Sequence, residues 1–207
     1  MRDFFALARP VWIPSFLKGS ITMRNSKVRI LVEGAMLVAI AQLLSYLVLY
    51  RFPQGGSIDA AMLPIILFAV RHGAGYGTLA GFVFGLLQYI GGNGVAIDWT
   101  SMVADYLIAY ALLGFGAGLL RGRRRAMALG TLLGGLLRFL AHFVVGAVVW
   151  GKYMPERFLG MTMTTPWLYS LLYNAPYMLG SIAIVLVLTA LLERSMGKYL
   201  RGEDLPH

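Results

Sequence analysis

The chain has 207 residues, of which 58% are hydrophobic and only 13% are charged, and its mean hydropathy is +0.71. Soluble globular domains have an apolar share of about half, so this composition indicates an integral membrane protein and excludes an ordinary soluble one. Cysteine is absent, which excludes disulfides, thiolate metal sites and cysteine nucleophiles, and the three histidines lie too far apart for a local metal-binding motif.

Residues 1–26 form an N-terminal extension to which we assign no function. The extension mixes aromatic and basic residues, and Pro10 and Pro14 disfavour a continuous helix. It lacks the long apolar core and the small-residue cleavage site of a signal peptide. An interfacial segment and a non-native leader are both open interpretations, because Met23 would be a natural start before the first apolar stretch.

Six apolar stretches follow, and each is a candidate membrane span, since about 20 apolar residues cross a bilayer core about 30 Å thick. They run Val28–Leu49, Ala60–Val70, Gly75–Ile90, Trp99–Leu120, Ala126–Trp150 and Trp167–Leu192. The second and third are short and Gly-rich, so either can be tilted, broken or partly re-entrant. The sequence therefore predicts an all-α integral membrane protein with six transmembrane helices in residues 27–194, followed by a short cytoplasmic tail in residues 195–207.

The basic residues predict the orientation of these spans, because Lys and Arg accumulate in short cytoplasmic loops. With the N-terminus inside, only Arg51, Lys152 and Arg157 of the 18 Lys and Arg residues lie outside, and Arg138 lies within a span. Both termini are therefore predicted to be cytoplasmic. The net charge of +9 reflects this topology, so we expect the lipid bilayer and not nucleic acid as a partner.

Three polar residues from three different spans are predicted to lie at one depth. At a rise of about 1.5 Å per residue, Asp105, His142 and Asn174 lie roughly 9, 12 and 10 Å below the outer boundary. Ionisable groups at such depths usually face a bundle interior or a wet cavity. We therefore expect one pocket in the outer half of the bundle, open toward the outside.

Aromatic residues gather around these polar groups. His142, Gly146 and Trp150 follow one helical face, on which Gly146 leaves room for a cavity. An acid among aromatic rings suits a flat, cationic, hydrogen-bonding ligand, because ring faces attract cations. The candidate substrate-binding residues are Asp105, Tyr106, His142, Gly146, Trp150, Tyr169 and Asn174.

Purely structural roles are the alternative to ligand binding for several of these residues. Tryptophans such as Trp150 also form interfacial belts, and packing is the favoured interpretation for Tyr173 and Tyr177. Arg138 lies near the midplane, where an internal pair with Asp105 or with a backbone carbonyl is favoured over ligand contact. A Gly-flanked Ser nucleophile, paired carboxylates and a metal motif are all absent from the sequence, so we predict neither an enzyme nor a metal or cofactor site.

Four motifs carry a resemblance to a known family. The runs FPQGGSIDAAMLPIILFAVRHGAGYGTLAGFVFGLLQ, DYLIAYALLGFGAGL, HFVVGAVVWGKYMPE and PWLYSLLYNAPYM together resemble the thiamine-specific substrate-binding subunit, or S component, of energy-coupling factor (ECF) transporters. The resemblance extends over about Lys27–Leu192 in the same order. It implies a six-helix subunit in the plasma membrane of a prokaryote that captures thiamine outside the cell.

The resemblance also implies partners and residue roles. A separate module of two ATPase subunits and a transmembrane coupling subunit would supply the energy, and this sequence has no GxxxxGK[ST] phosphate loop of its own. Asp105 would balance the positive charge of the ligand or accept from its aminopyrimidine, although relatives are expected to carry Glu there. The matching pocket pairs are Asp105 with Tyr106, His142 with Trp150, and Tyr169 with Asn174.

Two further segments fit such a subunit. Ala35 and Ala39 form a small-xxx-small pair that resembles the docking surface for the coupling subunit, with packing inside the same chain as the alternative. The segment YRFPQGGSID, in which Gly55 and Gly56 would be hinges, fits a mobile lid or an ordinary connection. Two other functions stay open: an S component for riboflavin or a thiamine precursor, and a membrane scaffold protein without a small ligand.

Overall fold

The structure, a computed structural model, describes residues 15–52 and 56–205, and their side chains from residue 27 onward. Residue contacts divide the chain into two compact units, Met1–Glu33 and Gly34–His207. The larger unit contains every element from the C-terminal part of the first helix onward. The division into an extension, a membrane domain and a tail stays a prediction.

The described residues are mostly helical, as predicted. Six helices of 11 or more residues occur in this part of the chain: α1 (Ser15–Leu44), α2 (Met62–His72), α3 (Ala74–Ile90), α4 (Trp99–Gly118), α5 (Ala126–Val148) and α6 (Pro166–Leu200). A 3-10 turn (Trp150–Tyr153) follows α5, and two antiparallel hairpins pair β1 (Tyr50–Arg51) with β2 (Ser57–Ile58) and β3 (Arg157–Phe158) with β4 (Met161–Thr162).

Several predicted boundaries are wrong. The first helix begins at Ser15 and not near Val28, and the sixth continues to Leu200 and not only to Leu192. The first helix ends at Leu44 and not at Leu49, because the chain turns there toward the first hairpin. The fifth helix ends at Val148, so Trp150 lies in the 3-10 turn and not on the helical face. β-Branched residues before Trp150 and a glycine directly after it have low helix propensity, which accounts for the early end.

The helices differ in whether they are long enough to cross a bilayer. By length and composition, three of the described helices, α4, α5 and α6, can cross a bilayer, whereas α2 and α3 are apolar but shorter. Gly73, with a φ of 91°, separates α2 from α3. Large apolar side chains face outward, including Leu43, Ile90 and Leu179, which are 66%, 70% and 64% exposed. An apolar surface of this kind is expected of a protein surrounded by lipid.

The backbones of α3 and α4 are in direct contact. A Cβ atom added to Gly77, Gly81 or Gly85 of α3 would collide with a backbone carbonyl of α4. The carbonyls that face them are those of Gly114, Tyr110 and Tyr106. Small residues at every fourth position allow this close approach between membrane helices. The contact fixes the wall of the bundle that carries Tyr106.

The C-terminal end of α6 is fastened to the end of α2. The helix is interrupted at Met196, where φ and ψ are −124° and 22°. Asp204 accepts two hydrogen bonds, of 2.7 and 3.0 Å, from the guanidinium of the buried Arg71. That guanidinium also lies 3.6 Å from the ring centroid of Tyr199 and donates to the Tyr199 carbonyl. These contacts fix the position of the residues that follow the kink.

Candidate functional site

A cavity lies among the first half of α4, the C-terminal half of α5 and the N-terminal half of α6. All seven predicted substrate-binding residues line it: Asp105, Tyr106, His142, Gly146, Trp150, Tyr169 and Asn174. His142 connects the three polar residues predicted at one depth. Its Nδ1 lies 2.9 Å from the Asp105 carboxylate, and its carbonyl accepts from Asn174 Nδ2 at 3.4 Å.

The N-terminal half of α4 positions Asp105 and Tyr106. Asp98 caps the helix by accepting a 2.8 Å hydrogen bond from the Ser101 backbone N–H. From Val103 to Ile108 the helix then widens into a π-helical segment, a feature often found at functional sites. Asp105 lies within this segment and is buried. The Tyr106 hydroxyl meets the backbone of the preceding loop, where it bonds both the N–H and the carbonyl of Val95, at 2.5 and 3.1 Å.

Arg138 determines the tautomer of His142. An arginine side chain can only donate, so Nε2 of His142 accepts the 3.3 Å hydrogen bond from Arg138 Nε. The proton of the neutral ring therefore lies on Nδ1, which donates to Asp105. Arg138 also donates to the Tyr110 hydroxyl at 2.9 Å. The predicted pairing of Arg138 with Asp105 or a backbone carbonyl is wrong, because Tyr110 and His142 take its hydrogen bonds.

The Asp105 carboxylate is bonded by neutral groups. Trp150 Nε1 donates to its second oxygen at 3.0 Å, and the neutral His142 ring donates to the first. Within the described residues, neither Lys nor Arg lies within salt-bridge distance of Asp105. A buried carboxylate without a positive partner is costly. Arg138 also lines the cavity, but it contacts Asp105 only through His142. The part of the cavity beside Asp105 therefore favours a ligand that brings a positive charge.

Gly146 and Asn174 define the contact between α5 and α6. A Cβ atom on Gly146 would collide with Ser170 Oγ and lie 2.9 Å from Asn174 Nδ2. The space beside Gly146 is thus partly occupied by side chains of α6, and Gly146 also lines the cavity. Asn174 Nδ2 donates to the Ser170 carbonyl at 2.8 Å, and its Oδ1 accepts from the Tyr177 hydroxyl. These bonds hold the amide in one orientation.

An aromatic face on α6 forms another side of the cavity. Tyr169, Tyr173 and Tyr177 all line it and are buried. The ring of Phe158, on the second hairpin, meets Tyr169 edge-on with 5.4 Å between centroids. The packing interpretation of Tyr173 and Tyr177 is therefore incomplete. The three tyrosines follow one another at intervals of four residues, which was the signal that places them on one helical face.

One end of the cavity is polar and was not predicted from the sequence. Gln88 Nε2 donates to Ser45 Oγ at 2.8 Å, and Asn93 Nδ2 donates to the same oxygen at 3.0 Å. Arg51 donates to Asn93 Oδ1 at 3.3 Å from the first hairpin. All four residues line the cavity. Single polar side chains at the ends of apolar spans were the available signal, and only the fold brings them together.

The predicted hinge glycines lie in the segment YRFPQGGSID, and the predicted docking alanines lie in α1. Gly55 lies outside the described residues. Gly56 lies against Tyr177, whose ring carbons would be 2.5 and 2.6 Å from an added Cβ atom. Ala35 and Ala39 are both exposed, so packing inside the same chain does not account for them. The hinge and docking roles of these residues stay predictions.

Comparison with known proteins gives consistent matches. A profile of the family described as thiamine transporter protein (Thia_YuaJ) matches residues 31–200. Thiamine transporter ThiT of Bacillus subtilis (strain 168) is 32% identical over 187 residues, which cover 84% of this chain and 94% of the relative. Thiamine transporter ThiT of Lacticaseibacillus paracasei is 27% identical over 185 residues, which cover 82% of this chain and 89% of that protein.

A solved structure shares the fold. ThiT from Listeria monocytogenes superposes with a TM-score of 0.71 at 21% sequence identity, covering 84% of this chain and 98% of that one. The relatives from both sequence matches are named as transporters and not as enzymes. The resemblance recognised from the four motifs is thereby confirmed. The family profile spans most of the chain, and the protein therefore belongs to the thiamine transporter protein family.

Proposed function

We propose that this protein binds thiamine in the cavity between α4, α5 and α6. The observation that carries the proposal is the buried Asp105 carboxylate, whose two partners, His142 and Trp150, are neutral donors. Thiamine carries a permanent positive charge and an aminopyrimidine that can donate hydrogen bonds. A bound cation would supply the missing counter-charge, and membership of the thiamine transporter protein family supports the same ligand.

The other cavity residues fit the same ligand. Ring faces attract cations and stack on flat heterocycles, and Tyr106, Trp150 and Tyr169 are the predicted aromatic contacts. His142 and Asn174 offer hydrogen bonds to ring nitrogens and amino groups. Gly146 allows α6 to approach closely enough for Asn174 to line the cavity.

We further propose six transmembrane spans with both termini in the cytoplasm of a prokaryotic cell. The distribution of Lys and Arg supports this orientation, and three long apolar helices together with two shorter ones support a multi-pass plasma membrane protein. α2, with 11 residues and a rise of about 16 Å, is the shortest of the six proposed spans.

Transport would require an ATP-driven ECF module with a transmembrane coupling subunit and two ATPase subunits. Ala35 and Ala39 on α1 are the proposed docking positions for the coupling subunit, because both are small, exposed and one helical turn apart. Their exposure supports an external partner. Replacing both by Leu should block complex formation without changing ligand binding.

The alternative functions predict different properties of the cavity. A scaffold protein without a ligand would fill this space with its own side chains, whereas an open cavity lined by Asp105, His142 and Trp150 is present among the described residues. An S component for riboflavin would gain little from an uncompensated carboxylate, because the flavin is neutral. A thiamine precursor with a single ring would leave part of the cavity empty.

The proposal is tested by titrating the purified, detergent-solubilised protein with thiamine and measuring its tryptophan fluorescence. We expect saturable quenching that is strongly reduced in Trp150→Phe. Trp167→Phe is the matched control, because Trp167 packs on Phe143 outside the cavity. Absence of binding by calorimetry, on folded and ligand-free protein, would overturn the proposal. Competition with riboflavin and thiamine precursors separates the vitamins.

A further inference from the structure

A second hollow, of about 600 Å³, lies between the N-terminal end of α5 and the C-terminal end of α6. Three arginines line it, Arg124, Arg125 and Arg201, together with one carboxylate, Glu193. Its floor is apolar and includes Met127, which is buried. The ligand cavity lies at the opposite ends of the same two helices, so the two sites are separate.

The fold holds the three arginines together despite their mutual repulsion. Arg125 lies at the start of α5 with a φ of 60°, and Arg124 directly precedes it. Arg201 follows Leu200, which is only 2% exposed, and the segment is fastened by the bonds between Asp204 and Arg71. The cluster is therefore set by contacts outside the hollow and does not depend on a bound molecule to form.

The balance of charge around the hollow is positive. Arg201 Nε donates to Glu203 at 2.5 Å, and Glu193 lines the hollow, so two carboxylates face three guanidinium groups. In the described part of the chain, the first turn of α5 has neither an acidic residue nor a side-chain cap. The positive end of the helix dipole adds to the positive potential.

We propose that this hollow binds a phosphate group, as carried by the headgroup of an anionic phospholipid. Guanidinium groups match phosphate oxygens with paired hydrogen bonds, and the apolar floor suits the glycerol and upper acyl region. The hollow lies at the cytoplasmic end of α5 and α6 in the proposed topology, where basic pockets between membrane helices recognise lipid headgroups. The proposal does not depend on thiamine binding.

The test measures lipid binding to the detergent-solubilised protein by native mass spectrometry. Probes are phosphatidylglycerol and, as the zwitterionic comparison, phosphatidylcholine. The variant Arg124→Gln with Arg201→Gln removes two charges from the hollow. Its matched control, Arg121→Gln with Arg123→Gln, removes two charges from exposed positions of the same loop outside the hollow.

We expect phosphatidylglycerol to bind the parent and the control more tightly than phosphatidylcholine does. The Arg124/Arg201 variant should bind it roughly 10- to 30-fold more weakly, since each basic residue near a membrane surface contributes about tenfold or less. Equal binding by both variants, or equal binding of the two lipids to the parent, would overturn the proposal. The single variant Arg124→Glu replaces the double variant if the latter fails to fold.

A third arm distinguishes lipid from free phosphate. If inorganic phosphate displaces phosphatidylglycerol from the parent, the recognised group is the phosphate alone, which supports the site with a soluble anion as ligand. If phosphate does not displace it, the lipid is the ligand. Circular dichroism and size-exclusion chromatography of each variant confirm folding. Failure of the parent to bind thiamine, with its lipid selectivity retained, would count against the proposed function only.

Discussion

The indole Nε1 of Trp150 donates a 3.0 Å hydrogen bond to Oδ2 of Asp105, which lies 45 residues earlier in the chain. The bond joins the 3-10 turn after α5 to the π-helical segment of α4. It holds the indole beside the carboxylate, so an aromatic surface and a negative charge are both fixed before a ligand enters. Preorganised sites of this kind lose less entropy on binding.

Asp105→Asn should weaken thiamine binding at least about 30-fold, as expected when one partner of a buried pair of charges is neutralised. The amide removes the negative charge and also leaves one carbonyl oxygen to accept from both Trp150 and His142. His142 cannot change tautomer easily, because its Nε2 accepts from Arg138. Calorimetry on the purified protein measures the change.

Asp98→Asn is the control for that substitution. Asp98 lies on the same helix and caps its first turn, and Asn caps helices as well as Asp does. Its affinity should therefore equal that of the parent. Parental affinity in Asp105→Asn would show that the carboxylate is not part of the binding site.

Gly146→Ala should destabilise the protein by about 1–3 kcal/mol, as overpacking usually does, and should weaken ligand binding. The added methyl group would collide with Ser170 Oγ and crowd Asn174, which pushes α6 away from α5. Gly75→Ala is the matched control, because a Cβ atom at Gly75 meets nothing within 4 Å among the described residues. Thermal unfolding in detergent should separate the two, and equal unfolding temperatures would contradict the close contact.

Arg138→Gln should lower thiamine affinity about tenfold, in line with the loss of one charged hydrogen bond. The glutamine cannot bond Tyr110 and His142 together, so the His142 ring loses the contact that fixes its tautomer. Arg157→Gln also removes a positive charge, but from the exposed second hairpin, and should bind thiamine as the parent does. Equal losses in the two variants would indicate a general charge effect and not a positional one.

Asp204→Asn should lower the unfolding free energy by about 1–3 kcal/mol, because it removes a carboxylate that accepts two hydrogen bonds from the buried Arg71 guanidinium. The partial exposure of Asp204, at 33% of its side chain, keeps this below the cost for a fully buried pair. Glu203→Gln is the adjacent control, since its exposed bond with Arg201 should contribute little. If both variants unfold at the parental temperature, the fastening of the C-terminal segment is energetically unimportant.

The sequence was sufficient to predict that the chain is mostly helical and to predict seven of the residues that line the cavity. Long apolar stretches define the helices, and counting residues from the span ends placed Asp105, His142 and Asn174 at one depth, where the structure joins them. This works because α-helical rise is nearly constant. A polar side chain in an apolar stretch therefore reports its depth directly.

Contacts between distant elements could not be predicted from the sequence. The hairpins have strands of two residues each, too short to show any alternation. The bond between Arg138 and Tyr110 depends on how α4 is rotated against α5, which no local pattern determines. Gln88 and Asn93 meet Ser45 only because α1 ends beside the loop after α3.

The glycine contact between α3 and α4 limits how the cavity can open. Gly77, Gly81 and Gly85 place carbonyl oxygens of α4 where any side chain on α3 would stand, so neither helix can rotate or slide without a backbone collision. The wall that carries Asp105 must then move as one block with α3 during any release of ligand. Any rearrangement that opens the cavity would then change the hairpins and the 3-10 turn that carries Trp150, while distances between α3 and α4 stay constant.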